Sequence, residues 1–216
     1  MRMLDEDVEI TTGLKGSLSI PAGALGVVIF AHGSGSSRRS PRNRFVAGIL
    51  NEAGYGTLLV DLLTEREAQI DEITAEFRFN IRLLASRLLD AAWWLEGQDD
   101  RFGQEYSLGY FGASTGAAAA LTAAAVMPGR VKAIVSRGGR PDLAEGLEKV
   151  RIPTLLIVGS KDFEVRDLNR KALEKMGARD KKISLVEGAG HLFEEPGTLE
   201  QTAALTRDWF DLYLKD

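Results

Sequence analysis

The pentapeptide Gly112-Ala113-Ser114-Thr115-Gly116 joins a β-type run, YSLGYFG (106–112), to an alanine-rich stretch that reads as a helix stopped by Pro128 and Gly129. Glycines two before and two after a serine, at a strand-to-helix turn, are what an exposed nucleophilic hydroxyl requires. The turn is so tight that both flanking positions must lack bulk, and glycine also tolerates unusual dihedrals there. The serine hydroxyl then projects above the sheet, and the N–H groups of the new helix point at the same spot. Alanines 117–120 and 123–125 let that helix lie close to the sheet.

A serine nucleophile needs a base, and the chain holds only two histidines, His32 and His191. His191 follows the last β-type segment in GAGHLFEE, a glycine-flanked turn from which an imidazole can swing over a neighbouring loop. His32, in AHGSG, is expected to shape its own loop, with the role of base as the lesser alternative. The base must be held in one tautomer by a third group, usually a buried carboxylate. Asp162, in GSKDFEV just beyond a predicted strand, is the expected partner, and Asp142, after the preceding strand, is the reserve acid. Ser114, Asp162 and His191 then run in the order nucleophile, acid, base, each after a predicted strand.

The elements that must position these residues alternate along the chain. LKGSLSI (14–20) alternates apolar and polar residues and is expected to be an edge strand with one wet face. GVVIFAHG (26–33), GTLLVDL (56–62), YSLGYFG (106–112), VKAIVSRG (131–138) and TLLIVGS (154–160) are short and apolar, as strands covered on both faces are. KKISLVEGAG (181–190) reads as one more. The clearest helix is expected from Asp71 to Glu96, ended by Gly97, with the tandem Trp93-Trp94 in the core. This alternation gives an α/β layer structure whose loops at the strand C-termini build the site. No repeat or linker divides the chain, so residues 1–216 are expected to form one α/β domain.

Composition narrows the chemistry. With 216 residues, 44% of them apolar, the chain can bury a full core. It has no cysteine, which excludes disulfides, cysteine-ligated metals and a cysteine nucleophile. A net charge of −4 gives no reason to expect a nucleic-acid partner. The longest apolar stretches, 24–31 and 117–127, fall short of the roughly 20 residues of a membrane span. The acidic start, MRMLDEDVEITTG, lacks a signal-peptide profile, so a cytoplasmic protein without membrane association is expected. Gly33 and Gly35 hint at a dinucleotide fingerprint, but Arg38 stands where the third glycine belongs, and no cofactor or metal is expected. Two arginine groups, Arg38, Arg39, Arg42 and Arg44 after the first glycine loop, and Arg137 and Arg140 after another strand, have two readings. They either bind an anionic substrate group or form structural ion pairs, and the second is the favoured expectation.

The segments VVIFAHGSGSS, GYFGASTGAAAAL, LLIVGSKD and GAGH resemble those of α/β-hydrolases, and more narrowly of the compact dienelactone-hydrolase-like serine hydrolases, over residues 26–191. The resemblance implies the α/β-hydrolase fold: a mostly parallel sheet of about eight strands, its first strands an antiparallel edge, with helices on both faces. It also implies hydrolysis of a small-molecule ester through an acyl-serine intermediate, with the backbone N–H groups of Ser34 and Thr115 as the oxyanion hole. Dienelactone hydrolases proper carry a cysteine nucleophile where this chain has Ser114, so the resemblance does not carry over their substrate. Only RPDLAEGLEKVRIP separates two late strands, which leaves no room for a large cap domain and favours small soluble esters. The same triad would serve a thioesterase, amidase or acyltransferase, and a non-catalytic binding module is the remaining reading. Oligomeric state is left open.

Overall fold

The computed structural model describes residues 3–10, 13–98, 105–127 and 129–215. Its centre is a sheet of eight strands: β1 (Met3–Ile10), β2 (Leu14–Pro21), β3 (Val27–Ala31), β4 (Gly56–Val60), β5 (Leu108–Ala113), β6 (Val131–Arg137), β7 (Thr154–Gly159) and β8 (Lys181–Val186). They lie in the order β1-β2-β4-β3-β5-β6-β7-β8. β2 pairs antiparallel with β1 and with β4, and every pairing from β4 to β8 is parallel. Because β3 has β4 on one side and β5 on the other, the winding reverses there, and a crevice opens beyond the strand C-termini at that point.

Among the described residues six α-helices accompany the sheet: α1 (Pro41–Glu52), α2 (Glu65–Thr74), α3 (Ile81–Glu96), α4 (Thr115–Val126), α5 (Phe163–Lys175) and α6 (Thr198–Tyr213). Two apolar layers result. One packs Ile29, Leu58, Tyr110 and Ile134 of the sheet against α3 and α4. The other packs Val28, Phe30, Phe111 and Val135 against α1 and α6. β3, β4, β5 and β7 are buried at every residue, which is why their sequences show no polar alternation. Among the described residues no helix is long and apolar enough to cross a membrane.

Four expectations need correction. β2 is not the edge strand; β1 lies outside it, pairing Met3 with Pro21 and Ile10 with Leu14. β1 carries Asp5, Asp7 and Glu9 in alternation, and in sequence these read only as an acidic terminus. The last strand stops at Val186 rather than 190, where the chain turns through Gly188 at φ 77°. The helix expected from Asp71 to Glu96 is two helices, because Ala75 ends α2 in the left-handed conformation at φ 55°. Asp71 then accepts the N–H groups of Phe77 and Arg78, and Asn80 caps α3. Trp93, expected in the core, is 54% exposed while Trp94 packs on the core, and Ile73 of α2 is 89% exposed. The role of Pro128 in stopping α4 lies outside the described residues.

Candidate active site

The β5–α4 turn places Ser114 above the sheet at φ 51° and ψ −121°, a region that non-glycine residues rarely occupy. Such a conformation costs on the order of 1–3 kcal/mol and persists only where the surroundings over-determine it. Here they do. The Ser114 N–H donates to the Arg137 carbonyl at the end of β6 (3.2 Å), and the Ser114 carbonyl accepts from both Ala117 N–H and Arg140 N–H (3.1 Å each).

The flanking glycines are required by backbone approach. A Cβ on Gly112 would sit 2.6 Å from the Ala117 nitrogen, and one on Gly116 would sit 2.5 Å from the His32 carbonyl oxygen. Both obstacles are main chain and cannot rotate away. Gly116→Ala is therefore expected to destabilise the protein by about 3 kcal/mol or more, at or above the top of the usual overpacking range. A urea midpoint within error of the wild type would refute this.

Asp162 and His191 come from adjacent loops that are stitched together. Ser160 N–H donates to the Val186 carbonyl and Lys161 N–H to the Ala189 carbonyl (2.9 Å each), while Gly188 N–H donates to Ser160 Oγ (2.9 Å). Asp162 occupies the N-cap of α5, where an aspartate ordinarily accepts a helix N–H, yet its carboxylate makes no capping bond. It turns instead to His191, with Oδ2 at 2.7 Å from Nδ1. Asp162 is 14% exposed and His191 40%. The carboxylate so placed favours the Nδ1–H tautomer and leaves Nε2 free as an acceptor. The serine and histidine loops meet at the Arg137–Gly138 peptide: Ser114 bonds the Arg137 carbonyl, and a Cβ at Gly138 would lie 3.7 Å from His191 Cε1. The reserve acid, Asp142, is held by the Arg140 guanidinium through both oxygens (2.9 and 2.8 Å).

His32 is buried and spans two elements: Nε2 accepts the Leu62 N–H (3.0 Å) and Nδ1 lies 2.9 Å from the Gly33 carbonyl, which fits a neutral ring protonated at Nδ1. Burial lowers its pKa, against smaller upward effects of the Gly33 bond and Asp61. The unfolded chain, with an ordinary value of about 6.5, then binds the proton more readily than the fold does. The stabilisation by neutral His32 is complete above that value and is lost as pH falls through the lower folded value. Melting temperature followed from about pH 8 to about pH 5 should fall more steeply for the wild type than for His32→Gln; parallel curves would contradict it.

Thr115 opens α4, so its N–H belongs to the first turn and has no intrahelical partner. Ser34 lies opposite, after His32-Gly33, and its Oγ is 3.0 Å from Thr115 Oγ1, so the two turns are tied side chain to side chain. Beside them is a cavity of about 510 Å³, lined by Ser34, Thr115 and His32 on one wall and by Leu62, Leu63 and Ala68 on the other. That is within the size range of small-ligand sites. The α2 wall was missed in sequence, where Thr64 and Glu67 carry the signature of a helix start: the two exchange hydrogen bonds as a capping box.

The arginines divide. Arg38 is buried and binds Asp61 (2.7 Å), Arg42 binds Glu194 (2.9 Å) and Arg140 binds Asp142. Arg137 is 8% exposed and has no carboxylate partner among the described residues.

No family model matches the chain. The crystal structure of a dienelactone hydrolase from Anabaena variabilis ATCC 29413 is 51% identical, with a TM-score of 0.93 and 99% of each chain covered. Est1E from Butyrivibrio proteoclasticus shares the fold at 16% identity, with a TM-score of 0.76 over 96% of this chain and 97% of that one. Two curated Mycobacterium tuberculosis proteins, provisionally named phosphoribosyl transferases, are 52% identical over 210 residues. The match takes in 95% of this chain and 46% of theirs, so the chain spans about half the length of these curated relatives.

Proposed function

The chain belongs to the dienelactone hydrolase family of α/β-hydrolases, and from that premise we propose that it is a serine hydrolase cleaving small carboxylic esters through an acyl-serine intermediate. The observation that carries the reading is the 2.7 Å bond from Asp162 to His191 Nδ1, made by a carboxylate that forgoes its helix cap, beside a serine held at φ 51°.

In this mechanism Ser114 Oγ attacks the acyl carbon while His191 Nε2 takes its proton, and Asp162 holds the imidazolium. The carbonyl electron pair moves onto oxygen, which receives the N–H groups of Ser34 and Thr115, each worth about 3–4 kcal/mol to such an oxyanion. Collapse breaks the bond to the leaving alcohol, which departs with the proton from His191. Water then attacks the acyl-serine, giving its proton to His191, and the acid leaves as Ser114 regains its own. The cavity under α2 takes the acyl part, and its size suits small groups.

The phosphoribosyl transferase name of the mycobacterial relatives is assigned, in this reading, to the part of those proteins outside the matched 210 residues. The purified chain is expected to show no phosphoribosyl transfer.

The test is labelling with a fluorophosphonate, which phosphonylates activated serines, on the wild type and on Ser114→Ala. Labelling that is lost in the variant supports the reading. A folded wild type that takes no label, or a variant that still takes it, removes Ser114 from the mechanism.

A further inference from the structure

Arg137 ends β6 on the sheet face that α1 and α6 cover, directly under the turn that carries His191. Its Cζ lies 5.9 Å from the Phe193 ring centroid, and Phe193 is itself held at φ 55°, a strained conformation for a bulky residue. Its Nη2 reaches the first turn of α1, 3.4 Å from Asn43 Oδ1. The other two guanidinium nitrogens, Nε and Nη1, are buried without a hydrogen-bond partner among the described residues, and so is Nε of Arg42. A buried, unpaired cation is strongly unfavourable, and a protein retains one where something else completes it.

The helix terminus facing Arg137 adds to the same field. Ser40 Oγ caps the Asn43 N–H, and Pro41 has none, so the Arg42 N–H stands as an uncapped donor at the positive end of α1. Glu194 balances one of the two guanidiniums from the outer wall, where its side chain is 64% exposed. One full positive charge, three side-chain donors unpaired among the described residues and a helix N-terminus therefore adjoin the histidine loop.

We infer that Arg137, Arg42 and the N-terminus of α1 form a phosphate-binding site next to the proposed catalytic centre. The donor set fits a phosphoryl group, which has three acceptor oxygens and about two negative charges, better than a carboxylate with two oxygens and one charge. Burial and the neighbouring Arg42 push the Arg137 pKa down to about 10, the response of a cation whose counter-charge is missing. The site explains why this arginine alone among those after strands β3 and β6 is buried without a carboxylate. If the phosphate is carried by the substrate, the enzyme prefers phosphorylated esters; that extension rests on the ester-hydrolase reading, whereas the site itself does not.

Titration calorimetry with inorganic phosphate at constant ionic strength tests the site on wild type, Ser114→Ala, Arg42→Gln and Arg137→Gln. One phosphate should bind per chain, equally in wild type and Ser114→Ala, and about tenfold or more weakly in each arginine variant, as the loss of a charge-assisted bond requires. Arg42 is partly exposed, so Arg42→Gln decides the matter if Arg137→Gln fails to fold. No binding by the wild type, or affinity unchanged in the folded arginine variants, overturns the site; acetate binding as tightly as phosphate overturns its assignment to phosphoryl groups. The source follows from the acetate ester of glycerol 3-phosphate compared with glycerol monoacetate. A kcat/KM about tenfold higher on the first, lost in Arg42→Gln, places the phosphate on the substrate, and equal rates with phosphate still bound place free phosphate there. Intact phosphate binding with neither ester cleaved sinks the hydrolase reading and leaves the site standing.

Discussion

Ser114→Ala is expected to lower ester hydrolysis by about 10⁶ in kcat, the scale on which removal of a serine nucleophile acts. The size follows from what the substitution takes away. No hydrogen bond of the fold involves Ser114 Oγ among the described residues; the turn is held by the backbone bonds to Arg137, Ala117 and Arg140. Alanine keeps all three, so the variant should melt within about 0.5 kcal/mol of the wild type, as a substitution outside any structural feature does. Activity and folding are thereby separated: steady-state turnover and a circular-dichroism melt on one preparation suffice. A folded variant that retained a tenth of the wild-type rate would mean that another group attacks the ester.

The second large effect is Asp162→Asn, expected to cost about 10⁴ in kcat. Asparagine can present its N–H to His191 Nδ1, which would move the ring proton to Nε2 and leave no acceptor for the serine. Because the Asp162 side chain caps no backbone group of α5, and its main-chain carbonyl keeps the Arg166 N–H in either variant, the helix loses nothing from the change. Asp142→Asn is the matched control. Both Asp142 oxygens are taken by Arg140, so its loss should leave kcat near the wild-type value. The reverse pattern, a dead Asp142→Asn and an active Asp162→Asn, would transfer the orienting role to Asp142. Measuring both across pH shows whether the slower variant also shifts the ascending limb that reports the base.

Strands β3, β4, β5 and β7 were legible because burial on both faces leaves no charged residue in the run, and short apolar segments between turn residues are the direct imprint of that burial. The serine turn was legible for a steric reason: Gly112 and Gly116 face main-chain atoms, so no other residue fits, and the spacing survives in one sequence. What could not be read depends on partners distant in the chain. β1 is a strand only because Leu14–Pro21 pairs with it, and its alternating acids look like a solvated terminus until that partner is in place. The break between α2 and α3 turns on Asp71, whose carboxylate serves the turn after the helix instead of the helix face on which its spacing places it. Arg38 and Arg137 are of one residue type, each close to a strand end. Only the fold reveals that Asp61 meets one of them, while Asn43 meets the other.

α4 is an unusual helix for a protein of this size. Ten of its residues, from Thr115 through Ala124, are buried, so it has no wet face along most of its length. Amides in such an element exchange with solvent only when the whole structure opens, whereas loops and frayed ends open on their own. Ser114 is fastened to the start of that helix, and its proposed partners sit on loops tied to β7 and β8. Ser114 thus belongs to the last part of the molecule to come apart. In denaturant, reactivity of Ser114 toward a fluorophosphonate should disappear together with the core signal, at one midpoint, instead of fading ahead of it.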